Sequence, residues 1–497
     1  MTRFRALAVL FICLLAPAAR AQAQAPAPTP FPDGMRESVI TDPGTGLPVQ
    51  LVTGGKPGAP WVVLVHGLGQ QASRDWIPVL PPLLERYQVL LVDLPGFGRS
   101  GRPDGVLSPK RYADFVQWVI TRHTRRPVFV VGHSLGAAVA LRHSHTYPQQ
   151  VTRLLLIDAA GLLQTTVFAR HLAKVPDAIP GRVAGMRVMP GLVRRVSSVL
   201  NHVSGQFQDL TASNANTLTM LAGSELARRY LYKESGNINA ALGLVNDNFS
   251  ALLGDVGVPV AMLWGEHDPV APLRTGIALR ALLPMATLEV LPGVGHVPMS
   301  QATDQTAAWL LATLRGAQPG PPEGRAGASQ GDAVCKDQQN LVYTGRWRTL
   351  RLEHCANIRI ENASIERLVA TRSTVALTDV TIASGGTALE LKDTNLAATG
   401  LRISAARVWQ LDNSRLDLAA ARLRAPELGA DKGGSLLFMS LSRWCDGAGD
   451  WYLHDTWKPD AGKLDQQFQR APGARCALGE IGADQVDAVG AKAVDAP

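Results

Sequence analysis

Gly132-His133-Ser134-Leu135-Gly136 separates the apolar run Val128-Phe129-Val130-Val131 from the small, apolar stretch Ala137-Ala138-Val139-Ala140-Leu141. The first run reads as a buried strand and the second as a helix. A turn this tight needs glycine at its flanks, because a Cβ there would collide with the neighbouring strand or helix. Such a turn lifts the Ser134 hydroxyl clear of the sheet and sets backbone N–H groups at the helix start beside it. A serine hydroxyl is a poor nucleophile at neutral pH. It needs a base to take its proton and an acid to hold that base in the right tautomer.

The same pattern of short apolar runs separated by helical stretches recurs from about Val39 to Arg315. The runs are Trp61–Val65, Val89–Val92, Val128–Val131, Leu154–Ile157, Val260–Leu263 and Leu288–Leu291. Continuous runs of this length predict a mostly parallel sheet covered by helices on both faces. The spacing breaks between Leu162 and about Asp255, where Pro, Gly, amphipathic stretches and seven arginines (Arg170, Arg182, Arg187, Arg194, Arg195, Arg228, Arg229) accumulate. Lying between two core strands, residues 162–255 are expected to form an inserted helical cap that excludes water and selects substrate.

Candidate partners for Ser134 follow in the chain order serine, acid, histidine. Asp268 closes Val260-Ala-Met-Leu-Trp-Gly-Glu-His-Asp268, a strand followed by a polar turn. That is the strand end where catalytic groups gather in open parallel sheets. His296 ends Leu288-Glu-Val-Leu-Pro-Gly-Val-Gly-His296, the last strand followed by a loop that Gly293 and Gly295 allow to bend back. An oxyanion would be held by the backbone N–H of Leu135, directly after Ser134, and that of Leu68 in the loop His66-Gly67-Leu68-Gly69. His66 itself is read as a brace for that loop. Asp93 and Asp158 are competing acids.

These residues together resemble the α/β-hydrolase family, in particular its esterase/lipase-like branch with a helical cap. The resemblance covers about residues 35–315. It rests on His66-Gly67, Asp93-Leu-Pro-Gly96-Phe-Gly98-Arg-Ser100, Gly132-His133-Ser134-Leu135-Gly136, Leu156-Ile157-Asp158, Gly265-Glu-His-Asp268 and Gly295-His296. It implies Ser134 as nucleophile, Asp268 as acid and His296 as base, with no cofactor and no metal. In such relatives Asp93 belongs to a structural loop. The aspartate nucleophile of dehalogenases and epoxide hydrolases is replaced here by Ser134. The expected activity is hydrolysis of a carboxylic ester, the partner being a small hydrophobic ester. The alternatives are a C–C bond hydrolase of diketones, a perhydrolase on the same fold, or an envelope- or glycan-binding protein with a vestigial hydrolase half.

Beyond a Gly/Pro/Ala/Gln linker (316–332) the pattern changes. The segments Asn357–Ile365, Thr374–Ile382, Asn395–Ile403 and Arg415–Leu423 each carry apolar residues at offsets one, three, six and eight. They recur at intervals of about twenty residues, the scale of one coil in a repeat fold. The expected second domain, residues 333–480, is all-β, a short right-handed parallel β-helix, with a β-sandwich as the runner-up. Leu436–Trp457, with Trp444, Trp451 and Trp457, is expected to cap the stack, sugar stacking being the other reading. A positioning role is expected for this domain: envelope attachment, glycan contact or dimerisation. It has no tight carboxylate cluster of the kind a glycosidase needs.

With 497 residues the chain is long enough for two cores. Its net charge of +8 is spread thinly, without basic blocks interleaved with aromatics, so nucleic-acid binding is not expected. Arg3 and Arg5, the apolar run Ala6–Ala16 and small residues before a cleavage point near Ala21 or Ala23 read as a secretory signal over residues 1–23. A leader (24–36) would follow, and a disordered tail is expected at 481–497. Export to the periplasm or medium would leave Cys335, Cys355, Cys445 and Cys476. These suggest two disulfides between nearest neighbours; zinc is disfavoured because no C-x-x-C is present.

Overall fold

The computed structural model describes residues 29–163, 236–316 (apart from 246, 248, 251, 254, 255 and 284), 329–457, and positions 469, 470, 476 and 478. The expected signal, most of the expected cap and linker, and the expected tail lie outside the described residues.

An eight-stranded sheet organises the N-terminal unit. Its strands are β1 (Arg36–Thr41), β2 (Pro48–Gly55), β3 (Trp61–Val65), β4 (Gln88–Val92), β5 (Val128–His133), β6 (Val151–Ile157), β7 (Val260–Gly265) and β8 (Ala286–Leu291). They lie in the order β1-β2-β4-β3-β5-β6-β7-β8. The β1–β2 and β2–β4 pairs are antiparallel and all the others parallel. Each of the six apolar runs is part of a parallel strand. Alternate residues enter opposite cores: Val63, Val65, Leu90 and Val92 on one face, Val62, Leu64, Val89 and Leu91 on the other. Burial on both faces is what makes these strands read as unbroken apolar runs. The helices packed on them include α1 (Pro109–His123), α2 (Leu135–Thr146), α3 (Gly236–Val245), α4 (Leu273–Leu282) and α5 (Thr303–Leu314). Parallel strands point their C-terminal ends to one rim, so the segments after β3, β5, β6, β7 and β8 meet there.

The C-terminal unit is all-β, a second sheet of thirteen strands. Three runs of parallel strands carry it. One passes through β11 (Ile358–Thr371), β12 (Thr374–Thr378), β14 (Asn395–Thr399), β16 (Arg415–Ala419) and β19 (Leu436–Cys445). The others run through β9 (Ala333–Lys336), β10 (Val342–Glu353), β11, β13 (Thr381–Lys392), β15 (Arg402–Asp412), β17 (Arg422–Arg424) and β18 (Glu427–Asp431). Partners sit about one repeat apart, as in Ile358 beside Val375, Thr374 beside Asn395 and Asn395 beside Arg415.

All the apolar residues at offsets one, three, six and eight are buried in one core. The shift from odd to even offsets has a local cause. Offset five holds Asn362, Asp379, Gly400 or Ala420, each at positive φ, and this left-handed residue turns the chain and resets the alternation. A second corner follows the same logic with His354, Arg372, Asp393 and Asn413. The hydroxyls of Ser373, Thr394, Ser414 and Ser435 stack behind it, each accepting from the backbone N–H of the layer before: Cys355, Ser373, Thr394 and Ser414. Buried backbone donors that a corner would orphan are thereby satisfied. The stack ends where β20 (Asp450–Trp457) pairs antiparallel with β19, which closes a sheet edge. Trp444 stacks on Trp451 with centroids 6.3 Å apart and donates its indole N–H to the Ala425 carbonyl, so this pair is packed into the closing hairpin. Disulfides join Cys335 to Cys355 and Cys445 to Cys476.

Candidate active site

Ser134 stands between β5 and α2 at φ 54°, ψ −119°, a region costly for any residue with a side chain. The glycines make that turn possible. A Cβ on Gly132 would lie 2.3 Å from the Gly136 carbonyl oxygen, and one on Gly136 would lie 2.1 Å from that of Val65. The loop after β3 is equally close: a Cβ on Gly67 would lie 2.8 Å from the Ser134 Cβ. Leu68 therefore follows directly from the point of contact with Ser134, and the Leu135 N–H opens α2 beside it.

His296 links the other two residues. Its Nε2 lies 3.0 Å from Ser134 Oγ and its Nδ1 lies 2.7 Å from Asp268 Oδ2. The Asp268 side chain is fully buried, and its Oδ1 accepts the N–H groups of Val270 (2.7 Å) and Ala271 (2.9 Å). These bonds fix the orientation of the carboxyl group. A carboxylate at Nδ1 puts the ring proton there and leaves Nε2 free to accept from Ser134.

The competing acids are placed differently. Asp93 accepts the N–H groups of Ser73 (3.0 Å) and Arg99 (2.9 Å), which makes it the pin of a turn. Asp158, at φ 45° just after β6, accepts the Gly265 N–H at 2.9 Å. Its other oxygen has no N–H or O–H donor among the described residues and faces Asp268. Burial, and then the charge of Asp268, push the Asp158 carboxyl well above the usual range, so it stands protonated.

His66 takes the bracing role read for it. Its Nδ1 donates to the Gly67 carbonyl at 2.7 Å and its Nε2 accepts the Leu94 N–H at 3.0 Å. Burial lowers its pKa and keeps it neutral.

Three contributors have no sequence signal that would have marked them. His133 donates from Nε2 to the His296 carbonyl at 2.7 Å, holding the backbone of the histidine loop; burial, then His296, press its pKa down to about 3. Asn237, at the start of α3, accepts the Gly69 N–H at 2.9 Å and pins the loop that holds Leu68. Gln301 accepts the Gly295 N–H at 2.9 Å. Each acts on a backbone group, so neither its residue type nor its spacing is distinctive. His133, Asp158 and His296 also bring possible metal-ligating atoms within 4.8 Å of one another. Two of these side chains are already engaged, His133 on a carbonyl and His296 on Asp268, so the cluster reads as the inner wall of the site.

Residues 60–303 match the family model of the alpha/beta hydrolase fold. This part of the chain has the α/β-hydrolase fold. Among curated relatives, an uncharacterized protein of Mycobacterium tuberculosis is 28% identical over 265 residues, 48% of this chain and 70% of its own. Lipase 1 of Psychrobacter immobilis is 24% identical over 251 residues, 50% of this chain and 74% of its own. A 2-hydroxy-6-oxononadienedioate/2-hydroxy-6-oxononatrienedioate hydrolase of Cupriavidus pinatubonensis is 26% identical over 249 residues, 48% of this chain and 81% of its own. Each of these matches covers about half of this chain.

The N-terminal unit carries its buried histidines uncharged. His133 is held at about 3 and His143, bonded to Gln117 at 2.9 Å, at about 4, both mainly by burial. Each titrates at 6.5 when exposed, so between these values the unfolded chain binds more protons and acid destabilises the fold. Asp158, with its raised pKa, acts in the opposite sense over the same window, so a difference between variants is the clean readout. Urea midpoints measured from pH 6.5 to about pH 4.5 should show His143→Gln losing about 1.4 kcal/mol per pH unit of acid dependence relative to wild type. Parallel curves would contradict a neutral His143.

Proposed function

We propose that the chain is an exported serine hydrolase of carboxylic esters. Ser134 Oγ attacks the ester carbonyl while His296 Nε2 takes its proton. Asp268 orients His296 and steadies its positive charge. The N–H groups of Leu68 and Leu135 hold the tetrahedral oxyanion. His296 then protonates the leaving alcohol and activates the water that clears the acyl-enzyme. The observation that carries this reading is the unbroken hydrogen-bonded line Ser134–His296–Asp268, with the acid buried and doubly bonded by backbone N–H groups. The lipase among the relatives supports an ester as substrate.

The 2-hydroxy-6-oxononadienedioate/2-hydroxy-6-oxononatrienedioate hydrolase among the relatives supports a second reading, cleavage of a C–C bond in a diketone by the same three residues. Chromogenic esters from acetate to palmitate, assayed with the full chain, separate the two. Turnover with a defined chain-length optimum is expected. Inertness on every ester together with turnover of a vinylogous diketone would replace the ester reading.

For the described part of the C-terminal unit, residues 333–445, we propose a short parallel β-helix. Layer offsets near twenty residues and stacked corner hydroxyls support that winding. Export is supported by the two disulfides and by the charged, then apolar, N-terminal sequence. No helix among the described residues is long and apolar enough to cross a membrane.

A further inference from the structure

We propose that the C-terminal unit is a fixed brace for the loop that carries Asp268, acting through α4, with Arg274 and Asp417 as positioning residues. This rests on the reading of Asp268 as the acid of the triad.

The two units do not merely touch. Ala419, Ala420 and Leu441 of the C-terminal stack are buried in the same core as β3, β4 and β5. Helix α4 is held at both ends. Near its start, Arg274 places Nη1 and Nη2 on the two carboxylate oxygens of Asp417 at 2.9 Å each. Its Nε donates to Thr399 Oγ1 at 2.8 Å, and Nη2 also reaches the carbonyls of Ala398 (3.0 Å) and Asp417 (3.1 Å). One guanidinium thus spans two adjacent layers, β14 and β16. Near its end, Arg280 pairs with Asp379, and Arg422 donates to the Leu282 carbonyl at 3.3 Å. Gly400, at φ 70°, lets that corner approach so closely that a Cβ there would lie 3.2 Å from the Ala281 Cβ.

The opposite side of α4 is just as fixed. A Cβ on Gly276 would lie 2.8 Å from the Trp264 ring, whose indole N–H donates to the Ala271 carbonyl at 2.7 Å. Ala271 and Val270 in turn donate to Asp268. From the Arg274 fork to the acid is six residues of chain with no free turn: Thr275 N–H closes on the Pro272 carbonyl at 2.7 Å, and Asp268 N–H faces the Gly265 carbonyl. A planar two-point fork fixes orientation as well as distance. Freed at this point, the segment can tilt, and Asp268 then meets His296 in a less favourable geometry. A misplacement of about 1 Å in a catalytic group is enough to cost a large factor in rate.

The test uses the full chain and a short, soluble ester. Arg274→Gln and Asp417→Asn should each lower kcat about tenfold with KM within about twofold. The double variant should be no worse than either single one. Arg367→Gln, which breaks the Arg367–Glu390 pair between β11 and β13, should leave kcat and KM unchanged. If Arg274→Gln does not fold, Arg274→Lys carries the test, since it keeps the charge and loses the fork. Folded Arg274 and Asp417 variants with wild-type kcat would overturn the proposal, whatever their melting temperatures. Failure of the underlying reading looks different: Asp268→Asn would be as active as wild type.

Discussion

Ser134→Ala is expected to lower kcat on any ester the wild-type chain turns over by about a hundred-thousand-fold, with little change in KM. The substitution removes one oxygen and alters neither the tight turn nor the loops that would hold the oxyanion. What is lost is the covalent route, because the hydroxyl His296 faces at 3.0 Å is gone. Residual turnover is that of water attacking a substrate already held against the oxyanion donors. His296→Ala should cost nearly as much, and the two together little more, because the groups act as a unit. Steady-state kinetics on the ester with the best chain length check this. A Ser134→Ala variant that keeps more than about one per cent of wild-type kcat would remove Ser134 from the chemistry.

The second large effect separates two aspartates at the same rim. Asp268→Asn is expected to lower kcat about ten-thousand-fold. An amide at that position offers N–H to His296 Nδ1, so the ring proton moves to Nε2, the atom that must accept from Ser134. Asp158→Asn is expected to stay within about threefold of wild type. Asp158 is protonated, and its Oδ1 accepts the Gly265 N–H. Asparagine reproduces that acceptor and can donate to Asp268 as the acid does. The same variant should gain stability relative to wild type as pH rises. A carboxyl with a raised folded pKa contributes fully below its unfolded value, and the contribution is lost as pH climbs through the folded one. Kinetics at neutral pH and urea midpoints up to about pH 9 test both halves. A large kcat loss in Asp158→Asn with a mild one in Asp268→Asn would exchange the two roles.

Much of the fold is legible because burial leaves marks of fixed period. β3 to β7 read as apolar runs since both faces are covered. In the C-terminal stack, offsets one, three, six and eight mark the inward residues of every layer, and the skipped position is the left-handed corner. The β1–β2 hairpin leaves no comparable mark, because β1 lies exposed along nearly its whole length at a sheet edge. Glu289 and Val290 are exposed on β8 for the same reason, so its apolar run is imperfect.

At the site, Ser134, Asp268 and His296 could be picked out because each sits in a tight turn or glycine-rich loop after a strand. His133, Asn237 and Gln301 could not, since their targets are backbone groups and, for His133 and Asn237, more than 160 residues away. The Arg274–Asp417 fork is hidden for the same reason: arginine and aspartate on two surfaces have no spacing to betray their meeting.

The most direct test is stoichiometric labelling of the full chain with a fluorophosphonate, followed by peptide mass mapping. A nucleophilic serine activated by His296 predicts one equivalent bound, on the peptide that contains Ser134, with labelling abolished in Ser134→Ala and strongly slowed in His296→Ala. No labelling of the folded protein, or labelling that persists in Ser134→Ala, would contradict the account.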